Sequence, residues 1–350
     1  MARVVMARRP GLAGFERTVA LKLILPELAA DERYVTMFLD EARMASRIQH
    51  PNVVSVLEVG RDETTGILYM AMDLILGATL SQFCRAHRKG TAVNAGLEIV
   101  AQAADGLDAA HCAVAADGSP LALVHRDICP QNLLIGFDGF VRVSDFGIAR
   151  AEQRNTHTET GKFKGKLGYC SPEHILGRPL DHRSDIFALG IVAFELITGV
   201  KLFSSTTPSK TLQRVLNAEV PTLTSLRPDV PAGAGAVIDA ALDRSMDARP
   251  ARAAELAVAI RAACLEAGLD SPREAIREGV RAAASDQAIR LAGMDPRRVP
   301  TMPPAPIEAA SHTSIERPSR DTLVDFVIGE DPDTQRDPDV PADEIPDTES

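Results

Sequence analysis

Three residues in the middle of the chain have the types and spacing for chemistry on phosphate groups. The segment HRDICPQN contains Asp127, whose carboxylate can accept a proton from a hydroxyl group, and Asn132, whose amide oxygen can bind a magnesium ion. The tripeptide DFG, 18 residues after Asp127, adds Asp145 as a second oxygen ligand. This spacing predicts a site that holds a hydroxyl group beside metal-bound phosphates.

Two charged residues near the start of the chain would complete such a site. Lys22 ends the segment VALK in a predicted strand, and Glu41 lies in FLDEAR on the predicted helix that follows. An ion pair between them would hold the lysine toward a phosphate. Because a strand lysine and a helix glutamate occur together in most α/β proteins, the pair is informative only beside the downstream motifs.

The elements that must position these residues change in character along the chain. Strand patterns interrupted by one helical pattern predict a small sheet with one helix over residues 1–75, from the segments FERTVALKLIL, DERYVTMFLDEARMASRI, VVSVLEVG and GILYMAMDLI. From Leu80 onward, apolar residues recur every three to four positions, which predicts helices. The segment SPREAIREGVRAAA predicts a last surface helix within a helical extension at residues 268–295.

Further short motifs follow DFG in a fixed order. They are SPE, which ends in Glu173, then HRSDIFALG with Asp185, and DARPA with Arg249. In order and spacing, the whole set resembles the eukaryotic-like (Hanks-type) serine/threonine protein kinases, particularly their bacterial branch, over about residues 1–267. No single tripeptide has that specificity; the series of motifs does.

The resemblance implies an α+β, two-lobed protein kinase fold with a small β-rich N-lobe (1–75) and a larger helical C-lobe (76–267). ATP would bind in the cleft, Mg²⁺ would be held by Asn132 and Asp145, and the γ-phosphate would pass to serine or threonine hydroxyls of protein substrates. The nucleotide-binding residues implied are Lys22, Glu41, Met72 at the back of the adenine pocket, and Asp73 to Ile75 as the hinge between the lobes.

Other residues would support the site without doing chemistry. The resemblance implies that His125 and Phe146 belong to an apolar spine that links the lobes. It also implies that Glu173 pairs with Arg249 to brace the C-lobe.

The chain departs from the family pattern at the catalytic loop. Where the family has a lysine two residues after the catalytic aspartate, this chain has Cys129. Where the family has a threonine in GTxxYxSPE, this chain has Lys166 in GKLGYCSPE. We therefore predict that the cation has moved, so that Lys166 reaches Asp127 and the γ-phosphate from the opposite side of the cleft. The alternative is that Lys166 is a solvated lysine of the segment GKFKGK.

The second departure concerns the glycine-rich hairpin that covers the ATP phosphates in this family. The segment MARVVMARR resembles the second strand of that hairpin, with Met1 and Ala2 at its tip, and the first strand and its glycines are absent from the sequence. Two interpretations compete: a start codon assigned too far downstream, which we favour because every downstream catalytic position is intact, or a truncation that weakens the grip on the nucleotide.

The predicted activation loop contains candidates for regulatory phosphorylation. Arg126, next to the catalytic aspartate, places a cation near the cleft that a phosphate would satisfy. In NTHTETG, Thr158 and Thr160 lie at the distance from SPE where related bacterial kinases phosphorylate themselves. The alternative is that both are ordinary polar loop residues.

Two other functions remain open. A pseudokinase would be a binding or scaffold module that transfers no phosphate even with Mg²⁺ and ATP. A kinase for a small molecule such as an aminoglycoside or choline is disfavoured by GKLGYCSPE, a substrate-side segment that such enzymes generally lack.

Composition narrows the setting of the protein. The longest apolar runs are too short to cross a bilayer, and the first residues lack a secretory signal, so a cytoplasmic protein without a membrane span is expected. The five cysteines form no CxxC pair, which predicts reduced thiols rather than disulfides or a zinc site.

Negative charge is concentrated at the C-terminal end. Residues 301–350 hold 13 acidic residues against three arginines, so this stretch accounts for the whole net charge of −10 and leaves the rest neutral. No nucleic-acid partner is expected. The acidic, proline-rich tail at 296–350 is predicted to be disordered, and its apolar segment DTLVDFVIG (321–329) is either a docking segment for a partner or a transient cluster.

Overall fold

A five-stranded antiparallel sheet forms most of the N-terminal lobe. The structure is a computed structural model that describes residues 2–10, 16–62, 65–115, 117–146, 166–217, 219–269, 272–292 and 324–325. The strands of this sheet are β1 (Ala2–Pro10), β2 (Glu16–Ile24), β3 (Val56–Arg61), β4 (Leu68–Asp73) and β8 (Val324–Asp325), and their order across it is β3-β4-β2-β1-β8. Two helices belong to the lobe, α1 (Pro26–Ala29) and α2 (Glu32–Ala45).

Successive side chains of a strand point to opposite faces of the sheet, and both faces of this sheet carry buried apolar residues. On the inner face, Val4 and Ala20 pack with Phe38 of α2. Because β1 and β2 pair with Val4 directly opposite Lys22, the lysine lies on the same face as these residues. The sheet and α2 confirm the predicted small lobe, and the pairing of β1 with β2 gives MARVVMARR the strand conformation predicted for it. The glycine-rich hairpin itself stays a prediction.

Helices dominate the C-terminal lobe, which confirms the predicted two-lobed fold. A small antiparallel sheet, in the order β5-β6-β7, is formed by Gly77–Thr79, Leu133–Gly136 and Val141–Val143. The helices are α3 (Leu80–Ala86), α4 (Val93–His111), α5 (Pro172–Ile175), α6 (Arg183–Thr198), α7 (Pro208–Asn217), α8 (Leu223–Leu226), α9 (Ala232–Ala241) and α10 (Ala253–Glu266), with 3-10 turns at Pro130–Asn132, Leu167–Tyr169 and Met246–Ala248. Every residue of α6 from Ser184 to Ile197 is buried, so this helix runs through the centre of the lobe.

Two further helices, α11 (Arg273–Ala283) and α12 (Asp286–Leu291), follow the C-lobe and pack onto it. Ile276 and Val280 of α11 are fully buried in the main core. The helix approaches α3 so closely that a Cβ added at Gly279 would lie 2.5 Å from the ring of Phe83. The predicted surface helix therefore has one face built into the core.

Several predictions have a definite structural outcome and others fall outside the described residues. All five cysteines are free. Within the described part of the chain, no helix is long and apolar enough to span a membrane. Thr158 and Thr160 lie outside the described residues, as does the predicted tail at 296–350 apart from the two residues of β8.

Candidate active site

The predicted Lys22–Glu41 pair is present, and a third charged group joins it. Nζ of Lys22 donates hydrogen bonds to Oε1 of Glu41 at 2.6 Å and to Oδ1 of Asp145 at 2.7 Å. The lysine and glutamate side chains are 12% and 11% exposed. One ammonium group therefore links the sheet, helix α2 and the DFG segment across the cleft.

The charges of these three groups are set by their mutual contacts. Burial lowers the pKa of Lys22, but Asp145 and Glu41 outweigh it and leave that pKa above its ordinary value. Burial acts to raise the pKa of Asp145, and the adjacent lysine reverses this and holds the pKa below its usual range. Burial raises the pKa of Glu41, because its contact with the shared lysine offsets only part of the desolvation. The shared lysine therefore lowers the pKa of Asp145 below its ordinary value, whereas desolvation leaves the pKa of Glu41 above its own.

A second cluster forms around Asp127. Nζ of Lys166 lies 2.8 Å from Oδ2 of Asp127. The same oxygen accepts a hydrogen bond from Nδ2 of Asn132 at 3.0 Å, and this amide also donates to the backbone oxygen of Asp127 at 2.7 Å. The predicted base Asp127, the predicted metal ligand Asn132 and the predicted cation Lys166 therefore meet at one carboxylate.

The position of Lys166 at the start of a 3-10 turn places its side chain near this carboxylate. The lysine immediately precedes the 3-10 turn Leu167–Tyr169, and its carbonyl accepts a hydrogen bond from the backbone N–H of Tyr169. Cys129 is buried nearby, with 1% exposure, and burial raises the pKa of its thiol to about 11 against the opposing charge of Lys166. The thiol is therefore protonated at neutral pH and leaves the ammonium as the local charge.

The backbone of the catalytic loop is held by a buried carboxylate. Asp185 of α6 accepts hydrogen bonds from the backbone N–H groups of His125 at 2.7 Å and Arg126 at 2.8 Å, and it lies 2.9 Å from Nε2 of His111. Arg126 has a φ of 65°, a left-handed conformation that costs free energy in a non-glycine residue. Asp185 and His111 fix this strained turn and so aim Asp127. Sequence reasoning gave Asp185 no role and did not identify His111.

Met72, the segment from Asp73 to Ile75 and Asp145 line one cleft of about 250 Å³, whereas the predicted residues Lys22, Glu41 and Asn132 are not part of its lining. Val4 of β1 and Leu134 of β6 also line it. A mostly apolar cleft with a few charged groups in its lining suits a flat base joined to phosphates.

The cleft also includes a residue that the family motifs do not predict. Ser285, which caps helix α12, lines it and accepts a hydrogen bond from the backbone N–H of Ala288. The C-terminal helical extension therefore contributes to the wall of the nucleotide cleft. The sequence of this short helix and its cap carries no signal for such a contact.

The side chains of Asn132 and Asp145 fit a hard divalent cation. Their donor set is all oxygen, which suits Mg²⁺, and Mg²⁺ commonly keeps water and phosphate oxygens as its other ligands. In the described part of the chain, no cluster of three or more His, Cys, Asp or Glu residues has the arrangement of a metal site.

A buried ion pair braces the substrate side of the C-lobe. Nη1 and Nη2 of Arg249 donate to the two carboxylate oxygens of Glu173 at 2.7 and 2.9 Å, and Oγ of Ser184 donates to Oε1 at 2.6 Å. The arginine and glutamate side chains are 0% and 3% exposed. The predicted Glu173–Arg249 pair is therefore bidentate and fully buried.

Removing one partner of this pair should destabilise the protein strongly. In Arg249→Met, Glu173 would stay buried without a counter-charge, and we expect the free energy of unfolding in urea to fall by about 3–5 kcal/mol. The matched control is Arg43→Met, which breaks the exposed pair with Asp40 and should cost at most about 1 kcal/mol. Equal losses in the two variants would contradict the account.

The same pair should make stability depend on acid pH. Burial acts to raise the pKa of Glu173, but Arg249 and Ser184 outweigh it and lower that pKa from 4.5 to about 2. A carboxylate with a lowered folded-state pKa stabilises the fold fully above the ordinary value, and this contribution is lost as the pH falls toward 2. Between pH 5 and 2.5, the free energy of unfolding should therefore fall more steeply with decreasing pH in the wild type than in Glu173→Gln. The same pH dependence in both proteins would contradict this role of Glu173.

A two-lobed fold with a cleft, a cluster of Lys22, Glu41 and Asp145, and a cluster of Asp127, Asn132 and Lys166 are features of protein kinases. A family model described as "Protein kinase domain" matches residues 12–258. The chain therefore belongs to the protein kinase family, in its bacterial eukaryotic-like branch.

Named relatives support this placement. Tyrosine-protein kinase MasK of Myxococcus xanthus is 42% identical over 234 residues, which are 66% of this chain and 36% of that protein. Serine/threonine-protein kinase PknH of Mycobacterium bovis is 32% identical over 295 residues, or 84% of this chain and 47% of that protein. The crystal structure of the Mycobacterium tuberculosis PknI kinase domain is similar with a TM-score of 0.52 and 29% identity, covering 73% of this chain and 88% of that one. The chain thus spans between about a third and a half of the curated relatives it matches.

Proposed function

We propose that this protein transfers the γ-phosphate of ATP to serine or threonine hydroxyls of protein substrates. The observation that carries the proposal is the double contact of Lys22, which bonds Glu41 and Asp145 at the same time. This arrangement brings together a phosphate-binding cation and a metal-binding carboxylate, as transfer from ATP requires.

The reaction needs a base beside the attacking hydroxyl. Asp127 takes the proton of the substrate hydroxyl as its oxygen attacks the γ-phosphorus and ADP departs. Asn132 holds the carboxylate of Asp127 in place through its amide group. Asp185 holds the backbone next to Asp127 by accepting a hydrogen bond from the N–H group of Arg126. These contacts keep the base oriented without a contribution from the substrate.

Asn132 and Asp145 would hold Mg²⁺ beside the phosphates. When bound, the ion neutralises charge on the phosphate oxygens during transfer. The ordinary ionised state of Asp145 at neutral pH, maintained by Lys22, is the state that binds such a cation.

Lys166 supplies the cation that Cys129 does not. Its ammonium group already lies 2.8 Å from the catalytic carboxylate, with a side chain 27% exposed. A group at this place can contact the γ-phosphate when the substrates are bound and stabilise the charge that develops in the transition state. The contact to Asp127 supports this role over that of a solvated lysine.

Phosphorylation of the activation loop would switch the enzyme. Nε of Arg126 is buried and has no hydrogen-bond partner within the described residues, and a phosphate provides about −1.5 to −2 charges with three acceptor oxygens. Mass spectrometry after incubation with ATP should find phosphate on Thr158 or Thr160. Because one charge-assisted hydrogen bond is worth about 1.5 kcal/mol, the double alanine variant should lose roughly tenfold in activity. Full activity in that variant would rule out the switch.

The setting that suits this activity is the cytoplasm, where ATP and Mg²⁺ are plentiful. Protein substrates, rather than small molecules, are favoured by the segment from Lys166 to Glu173, which is built into the C-lobe through the Glu173–Arg249 pair.

A second candidate function is phosphorylation of tyrosine. The observation that favours it is the 42% identity to a protein named a tyrosine-protein kinase. A pseudokinase that transfers no phosphate is the third, and the contacts that orient the carboxylate of Asp127 favour transfer over it.

One experiment separates these functions. The chain is incubated with radiolabelled ATP, Mg²⁺ and a mixture of basic proteins, and the labelled proteins are hydrolysed in acid. We expect phosphoserine and phosphothreonine. Label confined to phosphotyrosine would support the second candidate, and a complete absence of protein-bound label would support the third.

A further inference from the structure

The outer edge of β1 is covered by a strand from the far end of the chain. Strand β8 pairs antiparallel with β1, with Asp325 opposite Val5 and Val324 opposite Met6. The other edge of β1 is occupied by β2 along its whole length. Among the described residues, β8 is therefore the strand that occupies this edge of β1.

The outer face of the same sheet also carries buried apolar residues. Those on β1 and β2 alternate with the ones that face α2. This outer cluster consists of Val5, Ala7, Val19, Leu21 and Ala71, which are between 0% and 8% exposed. Within the described residues, every member of the cluster belongs to the sheet itself. Side chains on a sheet face become buried to this degree when another segment covers them.

Charge and reach both favour the tail as that segment. β1 contains three arginines and no acidic residue, although Arg8 and Arg9 pair with Glu16 and Glu58, and the last 50 residues carry a net charge of −10. Thirty-one residues separate Ala292, at the end of α12, from Val324. An extended chain of that length spans about 100 Å, so the connection does not limit docking within one molecule.

We propose that the segment 321–329 docks on the N-lobe of its own chain by adding a strand to β1, and that this contact holds the roof of the nucleotide cleft. β1 supplies Val4, which lines the cleft and is paired with Lys22 in register. A strand with partners on both edges moves less than an edge strand. The tail thus tightens nucleotide binding from outside the cleft. The expected effect on nucleotide binding rests on the proposed function, whereas the docking of the strand does not.

Two proline substitutions in the strand provide the test. Val324→Pro combined with Asp325→Pro removes whichever backbone N–H donates to β1 and prevents pairing. The matched control is Thr334→Pro with Gln335→Pro, which adds the same two prolines to the same acidic tail outside the segment. Hydrogen exchange of β1 peptides should be faster in the first variant and unchanged in the control. The dissociation constant for a fluorescent ATP analogue with Mg²⁺ should rise about fivefold in the first variant only.

Three outcomes would overturn the proposal. Equal exchange of β1 in wild type and both variants would mean that the strand is not docked. Protection of β1 that depends on protein concentration would mean that the tail of a second copy binds there. Faster exchange with unchanged nucleotide affinity would remove the coupling to the cleft. A chain that transfers no phosphate leaves the exchange result intact, so the failure of the proposed function is distinguishable.

Discussion

The variant Asp127→Asn should transfer phosphate about 10³-fold more slowly than the wild type, since a positioned general base contributes roughly 10² to 10⁴. The asparagine has nearly the same shape, but its amide cannot accept the hydroxyl proton. It also breaks the ion pair with Lys166, so both the base and the placement of the cation are lost. The affinity for ATP should change little, because the adenine cleft and Lys22 are untouched. The rate is measured in single turnovers at saturating Mg²⁺ and ATP.

The control for this variant is Asp40→Asn. That carboxylate is exposed on α2 and pairs with Arg43 on the same helix, so its loss should leave the rate within about twofold. If Asp127→Asn retained more than about a tenth of the wild-type rate, Asp127 would not be the base.

The second large effect is expected at Lys166. In Lys166→Ala, kcat should fall by a factor on the order of 100 with little change in the KM for ATP, because the ammonium acts on charge that develops in the transition state. Lys164→Ala, two residues earlier in the same lysine-rich segment, is the matched control and should retain normal kcat.

A charge exchange tests whether the position of the cation matters. Lys166→Thr should be as slow as the alanine variant, and adding Cys129→Lys should restore much of kcat. Cys129 is buried beside this site, so a lysine there has a short path to Asp127 once Lys166 is gone. Equal kcat in the wild type, Lys166→Ala and Lys166→Thr would make Lys166 a bystander.

Short motifs in the sequence predicted several of the contacts that the structure shows, because the residues concerned lie within the motifs or in neighbouring elements. Asp127 and Asn132 are five residues apart in one loop, so their contact is a local property. The pairing of Lys22 with Glu41 was also predictable, because a strand and the next helix pack against each other in a small lobe. The contact between Lys166 and Asp127 was predicted from a pair of departures at Cys129 and Lys166 that made sense only together.

Contacts between distant segments were not predictable in the same way. His111 and Asp185 are 74 residues apart, and their hydrogen bond depends on how α4 and α6 pack. The helical pattern of the extension was visible, but nothing in it showed that Gly279 would face Phe83 or that Ser285 would reach the nucleotide cleft. In each case the sequence pattern predicts the local conformation, but tertiary packing determines which distant residue each side chain contacts.

The pairing of β8 shows the same limit more clearly. An apolar segment in an acidic tail is compatible with a docking strand or with a transient cluster, since both have the same composition. Backbone hydrogen bonds recognise an open strand edge rather than particular side chains, so the sequence of the segment does not identify β1 as its partner.

The most direct test of the account is a single-turnover transfer assay on this chain. Wild-type protein is mixed with Mg²⁺, radiolabelled ATP and a protein substrate, and rapid-quench samples are compared with Asp127→Asn under the same conditions. We predict protein-bound phosphate in the wild type at a rate about 10³-fold above the variant. Tight binding of ATP with phosphate transfer no faster than in Asp127→Asn would contradict it and leave a nucleotide-binding pseudokinase.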